Sequence, residues 1–468
     1  MVKRYESSFA HINAFPLFCY NMRPALTLIV LAFILQASAQ PATEKWDLRK
    51  CVEYAMKNNI SVKQADVQAR IVALQLKQAR LYQYPTASFN TNIGPQFGRS
   101  IDPTTNVYSN NELLSQNYGL QGGVQIFNWG RLKNNIAAQE FNAKAALVDI
   151  EKAANDVAIN VATYYLQVLA AREQINIVTI QITQSQTQLG VTRKKVDAGS
   201  LPELNAVELE AKLATDSSNL IAAQSSYQQN VLQLKGLLNI DAALPFEVET
   251  PSVDKIALET LADLEPSSVF QLALANQPTQ KSNTLKIKAQ EKSILVSRSS
   301  LYPTFSANYS LGTTYNNKAV NFANGNKIEY FDQVSQNFRQ SFGVGLSVPI
   351  FNSGTNRINY EQSKLNLQSF KVNEEGANQK LKQDIYSAYT NVVTAIQKFN
   401  AGKRQVLSNQ KAYDFASKRY EVGLLSTLDL ITTQNNLSTA KLQQVANQYD
   451  YIFKIKLLEF YKGQGLKL

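Results

Sequence analysis

Apolar and polar residues alternate in four segments of the chain, and this pattern predicts four β-strands. The segments span residues 87–94, 118–126, 305–312 and 341–350. A period of two places successive side chains on opposite faces of a sheet. One face of each predicted strand is apolar, and the other carries mainly small uncharged residues of the types Ser, Asn, Gln and Gly.

Apolar residues spaced by three and four predict very long helices elsewhere. Residues 131–198 and 355–422 contain no proline, and each stretch is followed by a second helical one, 202–238 and 427–461. Such a repeat forms a narrow apolar seam for coiled-coil packing. The predicted seam positions are Leu147, Ile150, Ala154, Val157, Val161, Tyr164 and Val168, then Leu381, Ile385, Ala388, Val392, Ala395 and Phe399.

The chain contains an internal duplication. The sequence Tyr-Pro-Thr at 84–86 recurs at 302–304, and Ile-Phe-Asn-x-Gly at 126–130 recurs at 350–354. The copies lie roughly 220 residues apart, which excludes a short-period solenoid. Each copy predicts helices around a pair of strands. We expect the following divisions: a first helix-strand-strand-helix repeat over 40–240, a linker over 241–265 and a second repeat over 266–468.

Two interpretations of the strands are open. A single strand of this kind is typical of a soluble sheet with one buried face. The length of all four strands, their uncharged polar faces and the long polar loops over 98–113 and 317–338 favour an outer-membrane β-barrel. Four strands cannot close, because the smallest such barrels have about eight, and lipid does not tolerate an open edge. Three copies would supply twelve strands.

The N-terminus predicts a secretory signal peptide over residues 1–39. Met22 and Arg23 precede an apolar run over 25–35, and Ala-Ser-Ala at 37–39 is typical of a cleavage site. Met22 is a possible true start, and a buried N-terminal helix is the alternative. Cys19 could suggest a lipid anchor, but the bulky residues before it argue against lipid attachment.

The composition argues against an enzyme. The only histidine, His11, lies in the predicted leader, and Cys51 is the only cysteine after it. A mature chain without histidine lacks the base of a catalytic triad and any imidazole metal ligand. The formal net charge of +11 is thinly spread and gives no nucleic-acid footprint. We therefore expect no catalytic, cofactor or metal site and no nucleic-acid partner; a structural coiled-coil adhesin or adaptor remains an alternative.

Taken together, these features resemble the TolC family of outer-membrane efflux proteins. The resemblance covers residues 43–465 and rests on the two Tyr-Pro-Thr strand entries, the two Phe-Asn-x-Gly strand exits and two glycine-centred turns between long helices. The loop over 98–106 is similar to the version common in Bacteroidetes members. The resemblance implies a mixed α and β membrane protein, a homotrimer whose twelve-stranded outer-membrane barrel continues into a long periplasmic helical barrel.

The resemblance also implies a function. The trimer would be a passive conduit in outer-membrane lipid that exports small molecules from an inner-membrane pump of the RND or ABC type through a periplasmic adaptor. The chain has no phosphate-binding Gly-x-x-x-x-Gly-Lys-Ser/Thr motif, so nothing in it can power transport. An exit duct for type I protein secretion is the alternative.

Two sets of residues are implied at the turns between the long helices. Val422, Gly423 and Leu424 resemble the family tip that meets the adaptor, and Gly199 and Leu201 are their first-unit counterparts. A glycine lets the chain reverse and leaves room for another hairpin. A plain helix stop is the alternative explanation, and it is compatible with docking.

The second set would line a periplasmic aperture. Asp429 matches an acidic aperture position of the family and Tyr420 its gate aromatic. Thr432 stands where the family has a second aperture acid, Leu425 stands where it has a basic gate residue, and Asn205 is the first-unit counterpart of Asp429. Three copies of Asp429 around one axis would attract cations. The spacing of Ser426 and Asp429 also suits a capping box, as does that of Ser200 and Glu203.

Overall fold

The structure is a computed structural model that describes residues 45–101, 106–250, 261–321 and 323–463. The predicted signal peptide over 1–39, with Met22 and Cys19, lies outside the described residues. So do residues 251–260 of the predicted linker. The division into two repeats and a linker stays a prediction.

Long helices dominate the chain, and each repeat contributes a hairpin of two of them. Both helices that follow a strand exit begin after a left-handed glycine, Gly130 or Gly354 (φ 75° in each), and both have 67 residues. At 1.5 Å per residue each is about 100 Å long. The helices are α1 Leu48–Asn58, α2 Ile60–Leu81, α3 Arg131–Asp197, α4 Glu203–Leu238, α5 Pro266–Asn276, α6 Pro278–Ser299, α7 Tyr330–Gln336, α8 Thr355–Glu421 and α9 Thr427–Lys462.

Two sheets are present in the described residues. The short β1 and β4 pair in parallel, and a four-stranded antiparallel sheet has the order β2-β3-β5-β6, with β2 and β6 at its edges. The strands are β1 Lys45–Trp46, β2 Thr86–Ile101, β3 Tyr108–Phe127, β4 Glu247–Val248, β5 Thr304–Asn316 and β6 Arg339–Ser347.

The register of the large sheet brings the apolar residues of all four strands onto one face. Phe89 lies opposite Leu120, which lies opposite Leu311. The predicted alternation is wrong at one position, Ile126. A β-bulge there places Phe127, not Ile126, opposite Phe305. A bulge inserts one extra residue and reverses the alternation beyond it.

The predicted loops and one strand end also need correction. The first loop, expected over 98–113, is largely strand, because β2 and β3 stay paired out to Ile101 and Tyr108. The second, expected over 317–338, contains α7. The last strand ends at Ser347 and not at residue 350. Pro349 lacks the backbone N–H that a further ladder bond requires.

The helical hairpins pack along the predicted seams with two exceptions. Leu147 is 60% exposed, and Tyr165, not Tyr164, is the fully buried tyrosine of α3. Its hydroxyl donates to the carbonyl of Glu249 at 2.7 Å, which ties α3 to the β1–β4 sheet. Within the described residues, no helix is both long enough and apolar enough to cross a bilayer.

Candidate functional site: the helical tips and their junction

Each long hairpin reverses at a glycine with left-handed backbone. Gly199 (φ 74°) follows α3 and Gly423 (φ 75°) follows α8. At the second tip, the N–H of Leu424 donates to the carbonyl of Arg419 at 2.8 Å. At the first tip, the N–H of Ser200 donates to the carbonyl of Lys195 at the same distance. This is the Schellman arrangement, which satisfies the last carbonyls of a helix and needs a residue with positive φ. The glycines are therefore required by the turn itself.

The second tip presents an apolar surface. Val422 is 69% exposed and Leu424 68%, whereas Leu201 of the first tip is half-buried. No atom lies within 4 Å of the position that a Cβ on Gly199 or Gly423 would take. Space beside both glycines is therefore open.

The two tips differ in how the following helix is capped. At α9 the N–H of Asp429 donates to Ser426 Oγ at 3.1 Å, and that hydroxyl donates to Asp429 Oδ2 at 2.7 Å. At α4 the predicted cap by Ser200 is wrong. Pro202 is the N-cap residue, and Glu203 instead forms an ion pair with Arg193. The proline shifts the helix start and frees the carboxylate for a partner on α3.

Tyr420 joins three helices behind the second tip. Its buried hydroxyl lies 2.9 Å from Thr192 Oγ1 of α3 and accepts from Thr427 Oγ1 of α9 at 3.3 Å. Lys195 Nζ adds a bond to the carbonyl of Glu421 at 2.9 Å. The junction thus holds the α8–α9 hairpin against the α3–α4 hairpin.

An apolar cluster supports this junction. The buried side chains of Ala416, Tyr420 and Leu430 pack together, with the partly buried Tyr413 and Leu425 against them. Burial raises the pKa of the Tyr413 phenol, so this ring stays neutral. Leu425, which the resemblance places where the family has a basic gate residue, packs against the cluster.

The other predicted aperture residues lie on two helices: Asp429 and Thr432 on α9, and Asn205 on α4. Asp429 and Thr432 are exposed on one face of α9, since positions three apart are neighbours on a helix. The hydroxyl of Thr432 donates to the carbonyl of Leu428 at 2.8 Å and so serves its own helix. Asn205 is half-buried on α4. The hydrogen bonds of the described residues do not join it to Asp429.

A buried polar network, which the sequence did not predict, lies farther from the tips. The carboxylate of Asp216, which is 0% exposed, accepts from Gln181 Nε2 and from Ser185 Oγ at 2.6 Å each. Lys212 forms an ion pair with it one turn earlier on α4. Gln434 Nε2 of α9 donates to Ser185 Oγ at 3.1 Å. Only the spacing of Lys212 and Asp216 was visible in the sequence, and it resembled an ordinary solvated pair.

The contact between α3 and α9 therefore changes character along its length. Near the tips it is polar, through Ser185 and Gln434. Farther from the tips it is apolar, and Val161 and Val168 of α3 share a core with Val445. The described residues contain no group of three or more metal-ligating side chains of the types His, Cys, Asp and Glu.

Comparison with known proteins identifies the family. Residues 52–239 and 269–458 match a family model described as outer membrane efflux protein. The chain belongs to this family. It is 21% identical over 401 residues to the outer membrane efflux protein BepC of Brucella suis, covering 85% of this chain and 81% of the relative. It is 23% identical over 372 residues to the outer membrane protein TolC of Escherichia coli, covering 76% and 72%.

A solved structure shows the same fold. The CmeC outer membrane channel of Campylobacter jejuni superposes with a TM-score of 0.75 at 20% identity, over 90% of this chain and 86% of that one. The predictions of family, outer-membrane location and efflux function are confirmed, and so is the mixed α and β fold class; the twelve-stranded barrel stays a prediction. A homotrimer that works with a periplasmic adaptor and an inner-membrane pump is the arrangement of this family. Membership of the family therefore confirms the predicted partners. Type I protein secretion is not favoured. The absence of enzyme activity stays a prediction.

Proposed function

We propose that three copies of this chain close into one passive conduit that exports small molecules across the periplasm and the outer membrane. The observation that carries the proposal is the four-stranded sheet, whose edge strands β2 and β6 have no outer partner among the residues that the structure describes. Each unsatisfied backbone group in lipid costs several kcal/mol. Edge pairing between successive copies removes that penalty, and twelve strands result.

The two faces of the sheet suit the two sides of such a wall. Phe342 and Val344 of β6 are each 75% exposed on the apolar face, which would contact lipid. The opposite face carries mainly small uncharged residues, as at Ser341, and would line a water-filled lumen. The helices α3 and α8 continue from the strands for about 100 Å toward the periplasm.

We assign adaptor docking to the tips and gating to the residues behind them. Val422 and Leu424, together with Gly423, offer an exposed apolar surface with open space beside it. Leu201 and Gly199 form the corresponding surface of the first tip, where Leu201 is only half-buried. The energy for export comes from the pump, because the chain carries no nucleotide-binding motif.

The aperture would be a single acidic ring. Asp429 is exposed near the tip, and its hydrogen bond with Ser426 fixes the carboxylate without covering it. Thr432 and Asn205 are uncharged, so the ring carries one carboxylate per copy. Tyr420 would hold the aperture closed, because the hairpin that carries Asp429 is tied to α3 through the Tyr420 hydroxyl.

The test is conductance of the purified protein in planar bilayers, combined with export in cells that lack their own channel. The proposal expects discrete single-channel currents and restored resistance to exported compounds when the matching adaptor and pump are present. A protein that inserts as a monomer without conductance would contradict the conduit. Restored protein secretion without restored resistance would favour type I secretion instead.

A further inference from the structure

Two prolines bracket the outer edge of β2. Successive residues of an antiparallel strand direct their backbone groups alternately to the two sides. Leu114, the partner of Pro95, bonds away from β2, since its N–H donates to Asn317 Oδ1 at 2.9 Å and its carbonyl accepts from the Asn317 N–H at 3.1 Å. Pro95 therefore directs its backbone outward, and so does Pro85 by the same alternation. Neither can donate. The outward positions between them are Ala87, Phe89, Thr91 and Ile93.

At the opposite edge, a side-chain amide ends the ladder. Beyond the start of β6, the N–H of Asn316 donates to Gln333 Oε1 and Gln333 Nε2 donates to the carbonyl of Asn316, both at 3.0 Å. Asn337 Nδ2 donates to the carbonyl of Thr314 at 2.7 Å. Gln333 is only 2% exposed. The second half of α7 and the following Asn337 thus occupy the place of a longer β6, so the edge strand has 9 residues against 16 in β2.

The same contacts fix which groups of β6 point outward. Thr314 and Asn316 direct their backbone toward β6, so even-numbered residues of β5 bond to odd-numbered residues of β6. The even-numbered residues of β6 are left to point outward. They are Gln340, Phe342, Val344 and Leu346. These four side chains and the four outward ones of β2 all lie on the apolar face of the sheet.

We infer that β2 of one copy pairs antiparallel with β6 of the next in a single register. Four outward residues then meet four, and neither proline enters the ladder. A shift by two residues in one direction places Pro95 opposite Gln340, and a shift in the other places Pro85 opposite Leu346. In either shift a proline, which has no N–H, faces a β6 residue whose carbonyl is then left without a donor in lipid. The paired residues are Ala87 with Leu346, Phe89 with Val344, Thr91 with Phe342, and Ile93 with Gln340.

This inference rests on the proposed trimer and adds where its seam begins and ends. The seam uses the half of β2 that lies before Pro95. The other half, out to Ile101, pairs with β3 as a two-stranded ribbon that projects beyond the seam.

Disulfide trapping in outer membranes tests the register. The residues Asn92 and Ser341 would be a directly opposed pair without mutual hydrogen bonds, the type whose Cβ atoms approach most closely, at about 4.5–5.5 Å. The double variant Asn92→Cys/Ser341→Cys should link neighbouring copies into covalent dimers and trimers on oxidation. Cys51 is 0% exposed and gives little background.

Two matched control variants place the cysteine pairs where they would be directly opposed only if the register were shifted by two residues. They are Asn90→Cys/Ser341→Cys and Asn92→Cys/Gly343→Cys, and a Cβ at Gly343 meets nothing closer than 3.8 Å. Diagonal neighbours lie about 7–8 Å apart, which is too far for an unstrained disulfide. We expect at least tenfold less linkage in both.

Stronger linkage in either shifted variant would overturn the register while leaving the trimer intact. No linkage in any variant of a trimeric protein would also overturn it. A protein that stays monomeric in the membrane would instead contradict the proposed function.

Discussion

The substitution Tyr420→Phe removes one oxygen from the junction between the two hairpins. That oxygen lies 2.9 Å from Thr192 Oγ1 and accepts from Thr427 Oγ1 at 3.3 Å. Thr192 is 0% exposed, so water does not replace the lost partner in the closed state. Leaving a buried hydroxyl unpaired costs about 1–3 kcal/mol. The lower part of this range, about 1–2 kcal/mol, changes a two-state ratio about 5- to 30-fold.

The open probability of single channels in planar bilayers measures this ratio. We expect Tyr420→Phe to raise the ratio of open to closed time by about 5- to 30-fold. Tyr413→Phe is the matched control, because Tyr413 packs in the same cluster and the described residues give its hydroxyl no hydrogen bond. An unchanged open probability in Tyr420→Phe, or an equal rise in Tyr413→Phe, would refute the assignment of the junction as a latch.

Other substitutions probe the tips, the buried network and the free thiol. Asp429→Asn should weaken block of the channel by divalent cations several-fold, and unchanged block would remove Asp429 from the aperture. Gly423→Ala should cost the tip about 1 kcal/mol through its left-handed backbone. Gly423→Trp should abolish export while trimers persist, and normal resistance in that variant would argue against docking there. Lys212→Met leaves the buried carboxylate of Asp216 without its cation, so thermal unfolding should show a loss of about 3–5 kcal/mol; a loss below about 1 kcal/mol would mean that the pair is solvated. Burial raises the pKa of the Cys51 thiol to about 12, so the folded protein should resist alkylation near neutral pH, and rapid labelling would contradict the buried position.

The long helices were predictable because their signals are local. The first was expected over 131–198 and is Arg131–Asp197; the second was expected over 355–422 and is Thr355–Glu421. Absence of proline, a 3,4 apolar repeat and a terminal glycine each act within a few residues.

The missed features depend on distant partners. Tyr420 was predicted as a gate residue, but its partner Thr192 lies on the other hairpin, 228 residues away. The bulge at Ile126 follows from pairing with β5, and no residue of β3 alone signals it. Asp216 was overlooked because a charged pair on a helix is usually solvated, and only the packing of three helices buries it.

The extension of β2 was missed for a related reason. Its distal half is polar at Gln96 and Arg99, so it lacks the alternation of a membrane strand. Pairing with β3 holds it in strand geometry, and Arg99 lies 5.2 Å from the ring centroid of Tyr108. Sequence periodicity reports which face a strand buries, and a ribbon that buries neither face gives no such signal.

Native mass spectrometry of the protein extracted from outer membranes in detergent is the decisive test of whether three copies form one channel. We expect one species with three copies of the mature chain, since both edges of the sheet need a partner. A detergent-free, water-soluble single chain would contradict it.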